Sequence, residues 1–269
     1  MHQSCVRERT ANRAAVTLEE MYRRSPCAIE RSMKYTNTIA ITGANRGLGK
    51  ALALAFAETG AELILHGRDA EALNPVAAEA EKRGAPRVTR VIGDLLDPDL
   101  GGRLAEACSE QHGGIDTIVL NAAILGPMLP LVQTPMDVFS TVMRTNVDAQ
   151  VPLVAAVLPL MKARGAGKIV WLSSGLGRFG LPRYGVYCAS KHAVEGLMKT
   201  VAEEHGASGI VSVSVAPGMV QTEMLQAALL GADVSEYQTP QETAEAFVRL
   251  VAELREEHNG EGLDIAPWL

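Results

Sequence analysis

Residues 38–49 read Thr38-Ile39-Ala40-Ile41-Thr42-Gly43-Ala44-Asn45-Arg46-Gly47-Leu48-Gly49. A short β-branched run enters a turn carrying three glycines within seven residues, and a helical pattern follows over Gly47–Glu58. Strand, glycine turn and helix in direct succession form the first half of a strand–helix–strand unit. The same rhythm continues outward from this stretch. Further strands are predicted at Glu62–Gly67, Val88–Gly93, Thr117–Asn121, Lys168–Ser173 and Ile210–Ala216. Helices are predicted between them at Asp69–Arg83, Pro98–Gln111, Pro135–Ala163 and Tyr184–His205, with a late helix at Pro240–Glu256 and a short last strand near Gly262–Ile265. Parallel strands need crossover helices, and right-handed crossovers put helices on both sheet faces. The expectation is a single doubly wound, Rossmann-type α/β domain over 35–269, with a parallel sheet of about seven strands.

Residues 1–34 break the pattern. They carry Arg7, Glu8, Arg9, Glu19, Glu20, Arg23 and Arg24 with little sustained apolar periodicity. A transit peptide would be poor in acids. The preferred reading is a poorly ordered or non-native extension, with Met33 as the natural start. The alternative is a short amphipathic helix around Thr17–Arg24.

Composition narrows the function classes. The net charge of −6 offers no basic face to nucleic acid. Cys5, Cys27, Cys108 and Cys188 are widely spaced, against both a disulfide framework and a zinc site. The longest apolar run, Val151 to Met161, is eleven residues and too short to span a bilayer. A soluble, cytoplasmic protein without membrane or nucleic-acid partners is expected.

Glycines let a backbone approach a pyrophosphate, and the free N–H groups of a helix N-terminus take its charge. The spacing here is G-x-x-x-G-x-G, which alone is equally a tight βα turn; its place after the first strand favours a dinucleotide. The second strand ends Leu65-His66-Gly67-Arg68, with no acid before Asp69. An acid there would bind the ribose hydroxyl of NAD, and an arginine the extra phosphate of NADP. Arg46 and Arg68 meet at one end, so NADP(H) is expected over NAD(H).

Tyr187 and Lys191 in Tyr184-Gly185-Val186-Tyr187-Cys188-Ala189-Ser190-Lys191 are four apart and share one helix face. An ammonium beside a phenol lowers its pKa toward neutrality, and this is the expectation for Tyr187. Such a pair is common in ordinary amphipathic helices. Ser174, thirteen residues before Tyr187 at the C-terminal end of a strand, lifts it above that background, because open α/β sheets bind ligands at that edge.

From about residue 37 to its end the chain resembles the short-chain dehydrogenase/reductase family, in its NADP-preferring form. The glycine motif matches Thr42 to Gly49, including Gly43, Asn45, Arg46, Gly47, Leu48 and Gly49. The adenine-site acid matches Asp94, followed by Leu95. The fourth-strand motif appears as Leu120-Asn121-Ala122-Ala123, keeping only Asn121 and Ala122 of the usual Asn-Asn-Ala-Gly. Asn146, Ser174, Tyr187 and Lys191 match the family's catalytic set, and Pro217-Gly218-Met219-Val220-Gln221-Thr222 its motif after the sixth strand.

The resemblance implies hydride transfer between NADP(H) and a ketone/secondary alcohol pair. In it Tyr187 exchanges the proton, Ser174 holds the carbonyl oxygen, and Lys191 binds the nicotinamide ribose. Asn146 holds a water that links Lys191 to solvent, and Val220 and Thr222 fix the carboxamide. Alternatives read from the residues are Ser173 as the working serine, Asn146 as a helix cap or kink, and Asp94 as a cap. The apolar stretch Met219–Gly231 matches the family's substrate lid and points to a lipophilic carbonyl compound; a core-facing helix reads almost as well. Arg178 and Arg183 read as solvated charges. Surplus apolar residues along Pro135–Ala163 suggest a homodimer or homotetramer, with Tyr184–His205 sharing the interface. The competing function is a non-catalytic NADP(H)-binding regulator, which has no reason to keep all four of Asn146, Ser174, Tyr187 and Lys191. A dehydratase or epimerase would use the same tyrosine and lysine with a longer C-terminal domain.

Overall fold

A computed structural model describes residues 37–269, and the expectations for residues 1–34 lie outside it. Seven strands, β1 (Thr38–Ile41), β2 (Glu62–Gly67), β3 (Val88–Ile92), β4 (Thr117–Leu120), β5 (Gly167–Leu172), β6 (Ile210–Ala216) and β7 (Gly262–Asp264), form one parallel sheet among the described residues in the order β3-β2-β1-β4-β5-β6-β7. The order reverses at β1, whose neighbours are β2 and β4. There the loops leaving β1 and β4 diverge to opposite faces and open a crevice at the C-terminal edge.

Side-chain alternation along each strand divides the core in two. Ile39, Ile41, Leu63, Leu65, Val119 and Val170 face α1 (Gly47–Glu58), α2 (Ala70–Arg83) and α8 (Pro240–Glu253), packing on Phe56, Leu73 and Phe247. Ala40, Ile64, Ile118, Ile169 and Trp171 face α3 (Leu100–Glu106), α5 (Gln150–Arg164) and α6 (Gly185–His205), packing on Leu104, Val157 and Met198. The central strands β1 and β4 are buried on both faces because helices cover both, whereas the edge strands β3 and β7 are largely uncovered. Local chemistry sets the helix ends. Asp69 caps α2 by accepting from the Glu71 N–H, and Thr239 and Glu242 form a reciprocal capping box at α8.

The predicted helix Pro135–Ala163 is not continuous. It divides into α4 (Met136–Met143) and α5, joined by a π-helical turn over Arg144–Asp148 that contains Asn146. An extra residue in a turn re-aims the side chains on either side of it. The turn aims the Asn146 amide at a loop twenty-two residues earlier, where it bonds the Ile124 N–H and carbonyl. Of the apolar surplus noted on this segment, Val147, Leu153, Val154, Val157 and Met161 are buried within the chain. Val151 stays 46 % exposed, and Leu158 and Leu160 are partly buried.

Candidate functional site

The glycine turn is held from beneath by its neighbours. Thr42 Oγ1 accepts from the backbone N–H of both Asn121 and Ala122, at 3.0 Å each. Asn121 Nδ2 returns a bond to the Thr42 carbonyl at 2.9 Å and reaches the Gly43 carbonyl at 3.3 Å. Asn121 and Ala122 therefore lock the turn to the loop after β4. Gly43 has φ +67°, and a Cβ on Gly49 would lie 2.2 Å from the Gly43 carbonyl oxygen, so only glycine fits there. The helix N-terminus that follows has no side-chain cap among the described residues and no acid in its first turn. Its backbone donors thus remain available to an anion, and the donor set fits a dinucleotide pyrophosphate.

The second strand supplies a residue the sequence reading passed over. His66 is buried; its Nδ1 faces the Gly43 N–H at 3.4 Å and its Nε2 lies 3.1 Å from the Gly93 carbonyl. Burial holds its pKa below the usual histidine value. A histidine in an otherwise apolar, doubly buried strand must find partners, and that was the available signal. Asp94 accepts from the Leu96 N–H at 2.9 Å and so caps the turn after β3, the simpler of its two readings. Leu95 is buried in the core.

Asn45 lies against Gly67, which brings the glycine turn to the end of β2, where Arg68 is exposed. Arg46 is ion-paired with Glu223, the first residue of α7 (Glu223–Ala228). The pair spans the crevice from the glycine turn to the segment after β6, and Thr222 Cγ2 comes within 3.6 Å of where a Gly47 Cβ would stand. Thr222 caps α7, Val220 is buried and bridges to Gln238, and Gly218 after Pro217 takes φ +74°. Leu48 packs against the core behind the turn.

Asn146 is buried and bonded at both ends of its side-chain amide. Its Oδ1 accepts from the Ile124 N–H at 2.8 Å, and its Nδ2 donates to the Ile124 carbonyl at 2.8 Å and to Ser190 Oγ at 3.0 Å. Ser190 in turn donates to the Tyr187 carbonyl at 2.8 Å. The Asn146 carbonyl accepts from Gln150 Nε2 at 2.6 Å. The side-chain amide thus clamps the loop after β4 to α6, which agrees with the kink reading; both Nδ2 protons are spent on protein, while the backbone carbonyl keeps a second lone pair.

Ser174, Tyr187 and Lys191 come together at the C-terminal edge of β5. Ser174 Oγ accepts from the Leu176 N–H at 3.2 Å, which leaves its own proton to donate. Tyr187 is 9 % exposed and Lys191 2 %. Lys191 Nζ sits 5.6 Å from the Tyr187 ring centroid and donates to the Leu172 carbonyl at 2.6 Å. Burial pushes the Tyr187 phenol up to about 12, with the Ser174 hydroxyl pulling the other way. This reverses the expected direction: loss of water around the phenolate outweighs the Ser174 hydrogen bond, and the Lys191 ammonium, 5.6 Å from the ring centroid, does not offset it. Burial also brings Lys191 down to about 8, against the pull of Glu195. Ser173 Oγ is buried without a hydrogen-bond partner among the described residues and points away into the packing around Gly177.

Three loops rim the crevice. Tyr184 Oη donates to the Ala228 carbonyl at 2.6 Å, tying the loop after β5 to α7, and Leu129 bridges to Tyr184 from the loop after β4. Val132, Phe179, Leu181 and Leu230 are exposed on these loops, and Met136 at the start of α4 is exposed as well. Arg178 and Arg183 are not simply solvated. Arg178 bonds Asp264 Oδ2 at 2.8 Å and the Leu263 carbonyl at 3.0 Å, and Arg183 Nε donates to the Met128 carbonyl at 3.2 Å.

With this crevice and its residues in place, comparison with known proteins identifies the class. Residues 37–232 match the family described as short chain dehydrogenase, and the chain belongs to that family. It is thus an oxidoreductase of a family that uses a nicotinamide cofactor on small molecules. The chain is 32 % identical to the uncharacterized oxidoreductase YciK of Escherichia coli K12, over 85 % of this chain and 91 % of that one. It is 33 % identical to the NADPH-dependent pterin aldehyde reductase of Arabidopsis thaliana, over 87 % of this chain and 95 % of the relative. A Shigella flexneri 2a short chain dehydrogenase structure complexed with NADP superposes with TM-score 0.80 at 30 % identity, covering 87 % of this chain and 99 % of that one. No described helix is long and apolar enough to cross a membrane.

Proposed function

We propose that this chain is an NADP(H)-dependent oxidoreductase interconverting a ketone and a secondary alcohol, with Tyr187 as general acid/base. The observation that carries the reading is the buried Tyr187 phenol gathered with Ser174 and Lys191 at the C-terminal edge of β5, where burial pushes the phenol upward. At neutral pH it holds its proton and is a donor for the reductive direction. The cofactor, when bound, supplies the hydride that reaches the carbonyl carbon. The Tyr187 Oη proton then passes to the oxygen as alkoxide charge grows there. Ser174 donates to the same oxygen and stabilises that charge. Lys191 keeps two ammonium protons beyond its bond to Leu172, enough to hold a ribose hydroxyl.

Arg46 and Arg68 at the adenosine end favour NADP(H), and the NADPH-dependent and NADP-complexed relatives support this preference. The exposed apolar rim favours a lipophilic carbonyl substrate. The Val151 face of α5, with α6, is assigned to a homodimer or homotetramer; a single-chain mass by light scattering at micromolar concentration would remove that assignment.

The functional test is NADPH consumption against ketones, aldehydes and 3-oxoacyl thioesters, with Tyr187→Phe in parallel. Turnover should fall by about 10²–10⁴ in the variant. Silence across the panel with NADPH still bound would favour the non-catalytic regulator.

A further inference from the structure

One turn beyond Lys191 on α6 stands Glu195, a carboxylate 8 % exposed that the proposed chemistry does not use. A buried carboxylate is costly unless paired. Its Oε2 accepts from Ser214 Oγ at 2.6 Å, but its Oε1 is buried without a hydrogen-bond partner among the described residues. The nearest cation, Arg178 Nε, is 3.9 Å away, and the end nitrogens of that guanidinium are committed to Asp264 and the Leu263 carbonyl. The Glu195 charge is therefore held in place but incompletely neutralised on its outer side.

Two glycines make the room. A Cβ on Gly177 would meet Ser173 Oγ at 2.8 Å, the Lys191 carbonyl at 3.1 Å and Glu195 Cγ at 3.3 Å. One on Gly262 would meet Glu195 Oε2 at 3.0 Å and Arg178 Nη2 at 3.2 Å. The Arg178 loop starts at Ser174, so the cluster joins the proposed catalytic loop, α6, β6 and the edge strand β7.

We propose that Glu195 is a positioning residue for this site, its buried carboxylate supplying the counter-charge that keeps the Lys191 side chain cationic while Arg178 anchors the Ser174 loop to the same charge. The proposal rests on the reading of Tyr187 and Lys191 given above. Helical spacing of four puts Glu195 on the face of Lys191. The other titratable or charged groups around them are Tyr187, with Cys188 beside it, on α6, Arg178 from the loop and Asp264 from β7; β6 brings the hydroxyls of Ser212 and Ser214. Burial draws Lys191 toward the neutral amine, to about 8, and Glu195 opposes it. Without that carboxylate, the ammonium would lose its proton at lower pH.

The test is a titration of Lys191 by ¹³Cε NMR in the lysine-labelled full chain, assigned by the missing resonance in Lys191→Met. Glu195→Gln preserves shape and the Ser214 contact and removes the charge; its midpoint should fall by about half to one pH unit. Glu195→Asp should restore it. Arg178→Gln should move it upward, since a repelling cation is gone and Glu195 is less neutralised. An unmoved midpoint in Glu195→Gln, or a downward shift in both Glu195→Gln and Arg178→Gln with a falling Tm, overturns the proposal in favour of a merely structural cluster. The alkaline limb of NADPH turnover should follow the same signs. Shifted midpoints in a chain inactive on every carbonyl would overturn the ketone/alcohol reading of the site and leave the charge coupling supported. Unmoved midpoints in an active enzyme would overturn the coupling alone.

Discussion

The two ends of the crevice are built by opposite means. At the glycine turn the work is done by backbone: Thr42, Asn121 and His66 hold peptide groups in place, and the charged side chains Arg46 and Arg68 stand in water. Around Tyr187 it is done by side chains withdrawn from water, with Asn146, Tyr187 and Lys191 all buried. The first end tolerates changes of surface charge but not of backbone shape. The second is sensitive to every polar atom, because each has lost its hydration.

The sharpest way to break this contrast is a methyl group at the turn. Gly49→Ala drives a Cβ against the Gly43 carbonyl, a backbone atom with nowhere to go. NADPH binding should be lost and stability should fall by about 3 kcal/mol, the upper end for overpacking. Gly102→Ala in α3 meets nothing within 4 Å and should be neutral or stabilising by about 0.4–1 kcal/mol. Thermal melts with and without NADPH would compare the pair. Equal Tm values in the two would refute the backbone account.

At the other end, Asn146→Ala strands the Ile124 N–H and carbonyl. The loss should be about 2 kcal/mol, read by urea denaturation. A variant as stable as the parent would show that the clamp is not what holds the loop to α6.

The exposed cations should matter less. Arg68→Ala should weaken NADPH about tenfold, or ~1.4 kcal/mol, with NADH little changed. Equal losses for both cofactors would remove the NADP assignment. Smallest is Glu223→Gln, which frees Arg46 from an exposed ion pair. NADPH should bind tighter by at most about fivefold, as expected for a pair worth under ~1 kcal/mol. The gain should vanish at high salt, where such pairs are screened.

What was legible followed from short-range rules. The sheet, its parallel sense and most element boundaries came from β-branched runs, glycine turns and helical periodicity, each encoded within a few residues. The Tyr187–Lys191 pairing was legible for the same reason. The π-helical turn at Asn146 was not, because its partner Ile124 lies in another loop. Arg46 looked like a free cation because Glu223, 177 residues away, is invisible to local reading. Arg178 looked solvated because Asp264 and Leu263 reach it only through the sheet. Glu195 was within reach, since the i, i+4 argument used for Tyr187 and Lys191 extends one turn further.

The sequence by itself determined a parallel α/β domain, a glycine turn opening a helix, and a tyrosine and lysine on one helical face after a serine. Only the tertiary structure decided the state of those groups. Proton affinity depends on how much water surrounds a charge and which charges stand near it, and both are set by elements distant in the chain. For that reason the phenol expected to move toward neutrality is pushed up instead, to about 12.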